Sequence, residues 1–162
     1  VLGVASEWTE RKGLKDFIKL RKYLDSSYDI VLIGLTDKQI NELPDGIIGL
    51  QRTENVEELV SYYSGAEVFV NLSVEETMGM TTVEALACNT PVIVYNATAL
   101  PEVVDQNAGI IVDRIHDVEA VADAVIRISE HDYSGCRNSV IEYNNRKQFL
   151  KYIELYKKLC GE

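Results

Sequence analysis

Short apolar runs alternate along the chain with segments in which apolar residues recur every three or four positions. The runs are rich in Val, Ile and Leu on consecutive positions, which is typical of strands buried on both faces of a parallel sheet. The spaced segments predict helices with one apolar face. Strands are expected at VLGVA (1–5), DIVLIG (29–34), GIIGL (46–50), EVFVNL (67–72), TPVIVY (90–95) and GIIV (109–112), and helices at 13–24, 38–44, 55–66, 81–88, 100–107 and 117–131.

This alternation predicts an α/β fold, with a Rossmann-like, doubly wound parallel sheet of about six strands. The strand pattern stops after residue 132, so residues 1–132 are expected to form the domain. Residues 133–162 are rich in Tyr and Lys and predict a helical C-terminal tail that packs on it. Because the chain has no initiator Met and begins inside an apolar run, we expect it to be a piece of a longer protein.

The composition of the chain argues against several classes of function. The net charge is −10, from 26 acidic and 16 basic residues, which argues against nucleic acid as a partner and against a general surface for anionic membranes. No apolar run approaches the roughly 20 residues of a membrane span, so no direct membrane insertion is expected. Cys88, Cys136 and Cys160 are widely spaced, without a CxxC motif or a histidine at metal-ligand spacing. Reduced thiols in a cytosolic protein are the simplest interpretation.

The loop after the fourth predicted strand holds two candidate acids. In such folds ligands bind outside the carboxyl ends of the strands. Glu76 precedes Gly79 and a helix whose first N–H groups, near Thr81, form a ready anion site. Glu84 lies about one turn inside that helix. A carboxylate can accept both hydroxyls of a vicinal diol, so the two acids suit a ribose and a sugar on either side of a diphosphate. On spacing alone, a solvated loop acid and an acid favoured by the helix dipole fit equally well.

Two other loops are expected at the same edge. Lys12 follows the first strand and could supply a point charge to an anion, although Arg11 and Lys12 could equally be a solvated pair. Arg52 and Thr53 follow the third strand, where they could lie against a base or form a turn before the next helix. The sequence leaves both alternatives open. His116 is interpreted as a surface residue at the start of a helix, without a role.

The stretch VFVNLSVEETMGMTTVEALACNTPVIVYNATALPEVV (68–104) resembles the donor-binding core of the GT-B glycosyltransferases of family four. That family has a Ser-containing turn, a Glu, seven residues, Glu-Ala, Pro-Val-Ile and a later Pro-Glu. GVASEWTERKG (3–13) resembles its first loop, and the resemblance runs in register from residue 1 to about residue 130. The pattern is met here by Ser73, Glu76, Glu84-Ala85, Pro91-Val92-Ile93 and Pro101-Glu102.

The chain departs from the family at several positions. Ser6 stands near the place of an Arg that helps to neutralise the diphosphate. Leu72 replaces a Pro, Asn89 replaces a Gly, and Thr98-Ala99 replaces a Gly pair. These departures bear on the strength of phosphate binding rather than on the fold.

The resemblance implies the C-terminal, donor-binding half of a two-domain enzyme whose N-terminal acceptor domain is absent from this chain. It implies transfer with retention from a UDP- or GDP-linked sugar to a glycan or lipid-linked acceptor, as in polysaccharide biosynthesis. It places the enzyme in the cytoplasm, with peripheral attachment to the inner face of the membrane through the missing half. The fragment alone is expected to bind donor weakly and to be inactive.

The resemblance also implies a role for each candidate residue. Glu76 would be the catalytic residue, orienting the hydroxyls of the transferred sugar. Lys12 would contact the diphosphate and Glu84 the ribose. The remaining donor-binding positions are the backbone of Met78, Gly79, Met80 and Thr81, for phosphate or sugar oxygens, and Arg52 and Thr53, for the base.

Two other functions remain open, a GT-B sugar-nucleotide epimerase and a non-catalytic nucleotide-binding module. No Asp-x-Asp element is present, so we expect no metal and no cofactor beside the nucleotide sugar. A classical dehydrogenase is disfavoured, because no GxGxxG follows the first strand.

Overall fold

The computed structural model describes residues 1–130, 132–133 and 135–161, which contain one six-stranded sheet. All strand pairs are parallel, and the order across the sheet is β3-β2-β1-β4-β5-β6. The predicted Rossmann-like fold is therefore confirmed. The strands are β1 (Leu2–Val4), β2 (Ile30–Ile33), β3 (Ile47–Leu50), β4 (Phe69–Asn71), β5 (Val92–Tyr95) and β6 (Gly109–Val112).

Helices connect the strands, and several begin at a side-chain cap. Asn55 accepts a hydrogen bond from the N–H of Glu58, and Asp117 accepts one from Ala120, at 2.8 and 3.2 Å. The last predicted helix of the domain ends earlier than expected and continues as a 3-10 turn, Ile128–Glu130; residue 131 lies outside the described residues. The helices are α1 (Leu14–Leu20), α2 (Asp37–Asn41), α3 (Val56–Gly65), α4 (Met80–Ala87), α5 (Leu100–Val103), α6 (Val118–Arg127) and α7 (Asn145–Cys160).

Apolar side chains are buried on both faces of the sheet, which explains why the strands read as continuous apolar runs. Helices α1 and α6 cover one face, and α3, α4 and α5 cover the other. The first face includes Phe17, Leu20, Leu32, Ile93 and Val121, and the second includes Tyr63, Phe69, Leu86, Val92 and Leu100.

The C-terminal tail has two parts with different surroundings. A 3-10 segment, Cys136–Tyr143, packs against α4, where Cys136 is buried and Arg137 Nε donates a 2.6 Å hydrogen bond to the carbonyl of Ala87. Helix α7 follows and has no buried residue. No helix in the described part of the chain is both long and apolar enough to cross a bilayer.

The strand order reverses between β1 and β4, and this switch point opens a crevice at the carboxyl ends of the strands. The loops after these two strands approach each other there. Gly13 has a φ of +78°, and a Cβ on it would lie 2.4 Å from the carbonyl oxygen of Leu72. Only glycine satisfies both the backbone conformation and the contact.

Replacing Gly13 with Ala is expected to lower the free energy of unfolding by about 3 kcal/mol. Roughly 1 kcal/mol comes from the left-handed backbone, and the rest comes from the forced contact with Leu72. Urea unfolding of the chain measures the change. Gly161→Ala is the matched control, since Gly161 has the same φ and no described atom lies within 4 Å of an added Cβ. Equal losses in the two variants would contradict the close approach of the loops.

Candidate functional site

The loops after β1 and β4 are joined by one backbone hydrogen bond and two ion pairs. The N–H of Val74 donates to the carbonyl of Arg11 at 2.9 Å. Arg11 Nη1 lies 3.2 Å from Glu75 Oε2, and Lys12 Nζ lies 2.6 Å from Glu76 Oε1. The structure therefore brings together two of the predicted site residues, Lys12 and Glu76, across the switch point.

The two ion pairs differ in burial. The side chains of Arg11 and Glu75 are 66% and 63% exposed, whereas those of Lys12 and Glu76 are 30% and 13% exposed. An exposed pair contributes little to stability, because water and salt screen it. The Lys12–Glu76 pair is largely removed from water, so each charge depends on the other or on a ligand that replaces it.

The loop after β5 fixes the backbone of Glu76 from the other side. The N–H of Glu76 donates to the hydroxyl of Thr98 at 2.8 Å. Thr98 has a φ of +46°, a conformation that costs a non-glycine residue energy and that clusters at functional sites. Thr98 is one of the positions at which the sequence departs from the glycines of the family pattern, and its hydroxyl supplies a contact that glycine lacks.

Helix α4 begins at the crevice and presents free N–H groups there. Gly79 precedes the helix with a φ of +76°. The N–H of Thr82 is bonded to the carbonyl of Gly79 at 2.9 Å, so those of Met80 and Thr81 lie in the first turn without a helical acceptor. These groups and the positive end of the helix dipole favour an anion at this point.

Asn71, at the end of β4, holds this helix in place. Its Nδ2 donates to Thr82 Oγ1 at 3.1 Å, and its Oδ1 accepts from the N–H of Ser73 at 3.0 Å. All three residues are buried. The only sequence signal for this contact is a polar amide at the end of an apolar strand, and that signal does not name Thr82 as its partner.

Glu84 lies on α4, and Tyr63 on the neighbouring helix α3 sets its orientation. The hydroxyl of Tyr63 donates to Glu84 Oε2 at 3.0 Å. Burial first, and then the negative charge of Glu84, raise the pKa of Tyr63 well above its usual value, so the phenol stays protonated. Oε1 of Glu84 accepts no hydrogen bond in the described part of the chain, so this oxygen is free to accept one from a ligand. The sequence did not show whether Tyr62 or Tyr63 faces α4.

Replacing Tyr63 with Phe is expected to lower the free energy of unfolding by about 1 kcal/mol, the usual value of one hydrogen bond. Tyr62→Phe is the control, because no hydrogen bond joins the Tyr62 hydroxyl to another residue in the described part of the chain. Denaturant titration measures the free energy of unfolding of both variants, and so compares the contributions of two hydroxyls on adjacent residues. The same loss from both would contradict a specific bond to Glu84.

Arg52 and Thr53 lie farther along the carboxyl edge, in the loop between β3 and α3. Within the residues that the structure describes, neither makes a hydrogen bond or an ion pair. Since β2 separates β3 from β1, they do not adjoin the Lys12–Glu76 pair. A cavity of about 340 Å³ lies among the loops after β1 and β2 and helix α2, with Ser6 in its wall. The other lining residues are Glu7, Trp8, Gly34, Thr36, Lys38, Gln39 and Glu42.

A second cavity, of about 590 Å³, lies at the opposite edge of the sheet. Its wall includes Val1, Asp29 and Glu67, which lie near the amino ends of β1, β2 and β4. We place the site at the carboxyl edge despite the larger volume here, because the free N–H groups of α4 and the paired Lys12 lie there.

The cysteines take no part in the site. All three are free thiols, and burial raises the pKa of Cys88 and Cys136. No group of three or more His, Cys, Asp and Glu side chains that could hold a metal ion is found in residues 1–130, 132–133 and 135–161. The charged groups that join the two loops at the crevice are Lys12 and Glu76, with the exposed Arg11–Glu75 pair beside them.

A family model described as "Glycosyl transferases group 1" matches residues 1–131. The chain belongs to this family. The family resemblance seen in the sequence is thereby confirmed, and the sheet with its C-terminal helix is that of a GT-B glycosyltransferase domain.

Similar proteins agree with this assignment. The O-antigen chain mannosyltransferase RfbU of Salmonella typhimurium is 28% identical over 160 residues, covering 86% of this chain and 45% of that protein. Sucrose-phosphate synthase from Thermosynechococcus elongatus superposes with a TM-score of 0.81 at 25% identity, covering 99% of this chain and 45% of that one. Anabaena HepE in complex with UDP-glucose has a TM-score of 0.73 at 16% identity, over 99% and 48% of the two chains. This group 1 glycosyl transferase chain thus spans about half the length of these proteins.

Proposed function

We propose that this chain is the donor-binding half of a retaining glycosyltransferase, which moves a sugar from a nucleoside diphosphate sugar to a glycan or lipid-linked acceptor. The observation that carries the proposal is the Lys12–Glu76 pair, 2.6 Å apart at the switch point, beside the first turn of α4. A cation, free N–H groups and a carboxylate at one crevice suit a substrate with a diphosphate next to a sugar.

The diphosphate binds to Lys12 and to the N–H groups of Met80 and Thr81. A lysine ammonium has three donors, so Lys12 can turn from Glu76 towards a phosphate oxygen without leaving the crevice. The negative charge that develops on the departing nucleoside diphosphate is then stabilised by groups already in place. The proposal includes no metal ion.

The nucleoside extends from the diphosphate along the carboxyl edge. Glu84 accepts the ribose hydroxyls through Oε1, since Tyr63 holds Oε2. The base lies against Arg52 and Thr53, which have no other partner within the described residues.

Glu76 orients the transferred sugar. Its carboxylate accepts sugar hydroxyls once Lys12 has turned to the phosphate, and its backbone is fixed by Thr98. Retention is explained by an acceptor that attacks from the face of the leaving group. The N-terminal acceptor domain would supply the other wall of the cleft.

The comparisons support this proposal in two respects. The structure of Anabaena HepE contains UDP-glucose, which favours a nucleotide sugar as the donor. The name of the Salmonella relative favours a cell-surface polysaccharide as the product. Three free thiols suit a reducing compartment, so we place the enzyme in the cytoplasm, with peripheral membrane attachment through its N-terminal half.

Product analysis of a protein that carries this chain with its N-terminal half tests the proposal. Radiolabelled UDP- and GDP-sugars are supplied with lipid-linked glycan acceptors, and the products are separated by chromatography. We expect label in the acceptor with the anomeric configuration of the donor. Isomerised donor without transfer would favour the epimerase, and bound but unchanged donor would favour the non-catalytic module; either result would overturn the proposal.

A further inference from the structure

Asp16, in the first turn of α1, is a carboxylate with only 2% of its surface exposed. Its Oδ2 lies 2.6 Å from His116 Nδ1 and accepts from the hydroxyl of Tyr95 at 3.1 Å. Its Oδ1 accepts from Lys19 Nζ at 3.1 Å. These partners come from β5, from the loop after β6 and from α1 itself, so the carboxylate joins three elements near the crevice.

Asp16 is ionised in this setting. Burial alone would raise the pKa of Asp16, but the hydrogen bonds from His116 and Lys19 outweigh it and hold the pKa below its ordinary value. An ionised carboxylate only accepts hydrogen bonds, so His116 must carry its proton on Nδ1 and donate. The contact is therefore a charge-assisted hydrogen bond, which is stronger than a neutral one.

The backbone of His116 is held in a conformation that most residues avoid. Its φ is +64°, in the left-handed region that favours glycine. Burial does not explain this, because the side chain is 55% exposed. Strained positions persist when surrounding contacts determine them. The side chain is held by the bond to Asp16 and by an edge-on contact with the ring of Tyr95, and the carbonyl accepts from the N–H of Val118 at 3.0 Å. The sequence around His116 indicates a surface residue without a role, and does not reveal this bond.

The first turn of α1 links this bond to Lys12. The N–H groups of Asp16 and Phe17 both donate to the carbonyl of Gly13, at 2.9 and 3.1 Å. Gly13 directly follows Lys12 and lies against Leu72. Asp16 is therefore connected to the backbone of Lys12 through the carbonyl of Gly13.

We propose that His116 is a positioning residue for the diphosphate site, holding the first turn of α1 through Asp16 so that Lys12 extends to the crevice. The proposal rests on the function proposed above. It concerns a residue outside the crevice, in the loop after β6, that need not touch the substrate.

Two substitutions separate this role from fold stability. His116→Gly removes the ring and also relieves the left-handed backbone. His116→Asn keeps a side-chain N–H donor at the same distance from Cα as Nδ1, and Asn tolerates this backbone region. Kd is measured by calorimetry with UDP and GDP, and unfolding is measured in urea for both variants.

We expect His116→Gly to bind the preferred nucleotide about 5- to 10-fold more weakly. Its loss of stability should be small, because relief of the left-handed backbone partly offsets the lost hydrogen bond. His116→Asn should stay within about 2-fold of the parent chain. Unchanged affinity in the Gly variant would overturn the proposal. Equal losses in Gly and Asn would overturn it as well, because the hydrogen bond to Asp16 would then not be the cause.

Amide hydrogen exchange, measured without nucleotide, tests the positioning role of His116 independently of the proposed donor site. Hydrogen exchange of the Asp16 and Phe17 amides reports the first turn of α1, and that of Val83, bonded to Gly79, reports α4 as a reference. His116→Gly should speed exchange at the first two amides about 10-fold and leave Val83 unchanged. Unchanged rates at Asp16 and Phe17 would refute the positioning role. If the parent chain bound neither nucleotide, the proposed donor site would fail whatever the exchange rates showed.

Discussion

Replacing Lys12 with Ala is expected to weaken binding of UDP or GDP to this chain by about 100-fold, which corresponds to about 2.7 kcal/mol. A hydrogen bond between charged groups contributes roughly 1.5–3 kcal/mol. The substitution also leaves the carboxylate of Glu76, only 13% exposed, without a partner and facing the diphosphate. Calorimetric titration with each nucleotide measures the loss.

Arg11→Ala is the matched control for this substitution. Arg11 is the preceding residue in the same loop and pairs with Glu75 just as Lys12 pairs with Glu76, but its pair is exposed. We expect a change of less than about 3-fold, because exposed pairs contribute little. Equal losses in the two variants would show that the loop attracts the anion only through its total charge, and would remove the specific role of Lys12.

Replacing Glu76 with Gln is expected to have opposite effects on turnover and on nucleotide binding. The rate of sugar transfer should fall about 100-fold, since an amide replaces the carboxylate that orients the sugar hydroxyls. Affinity for UDP or GDP should rise by up to about 10-fold, because Lys12 is released and a negative charge next to the diphosphate is lost. Transfer is assayed in the protein with its N-terminal half, and binding is measured by calorimetry.

Glu75→Gln provides the comparison on the adjacent position. Its carboxylate is exposed and pairs with Arg11, so both rate and affinity should stay within about 2-fold of the parent values. An unchanged transfer rate in Glu76→Gln would refute the catalytic role of Glu76. Weaker nucleotide binding in that variant would show that Glu76 supports the nucleotide rather than competing with it for Lys12.

The sequence was informative about the fold because the sheet is buried on both faces. Continuous apolar runs leave few alternatives to a parallel sheet, and all six predicted strands are found. Helix ends were less well predicted. The first helix was expected to extend to residue 24 but ends at Leu20. Leu24 is nevertheless buried, because apolar spacing reports which residues face the core and not where the helical hydrogen bonds stop.

The sequence could name candidate residues of the site but not their contacts. Lys12 and Glu76 are 64 positions apart, and no local pattern shows that they bond directly. From its position in the sequence, Asp16 is indistinguishable from the solvated charges on the polar face of an amphipathic helix. Its burial depends on Tyr95 and His116, which are 79 and 100 positions away, so only the assembled fold reveals it.

A crystal structure of this chain soaked with UDP or GDP tests the central claim most directly. We expect Lys12 Nζ at about 3 Å from a diphosphate oxygen, with the ribose at Glu84 Oε1 and the base beside Arg52. A nucleotide bound at the opposite edge, in the cavity beside Val1 and Glu67, would contradict it. So would a diphosphate bound elsewhere while Lys12 keeps its contact with Glu76.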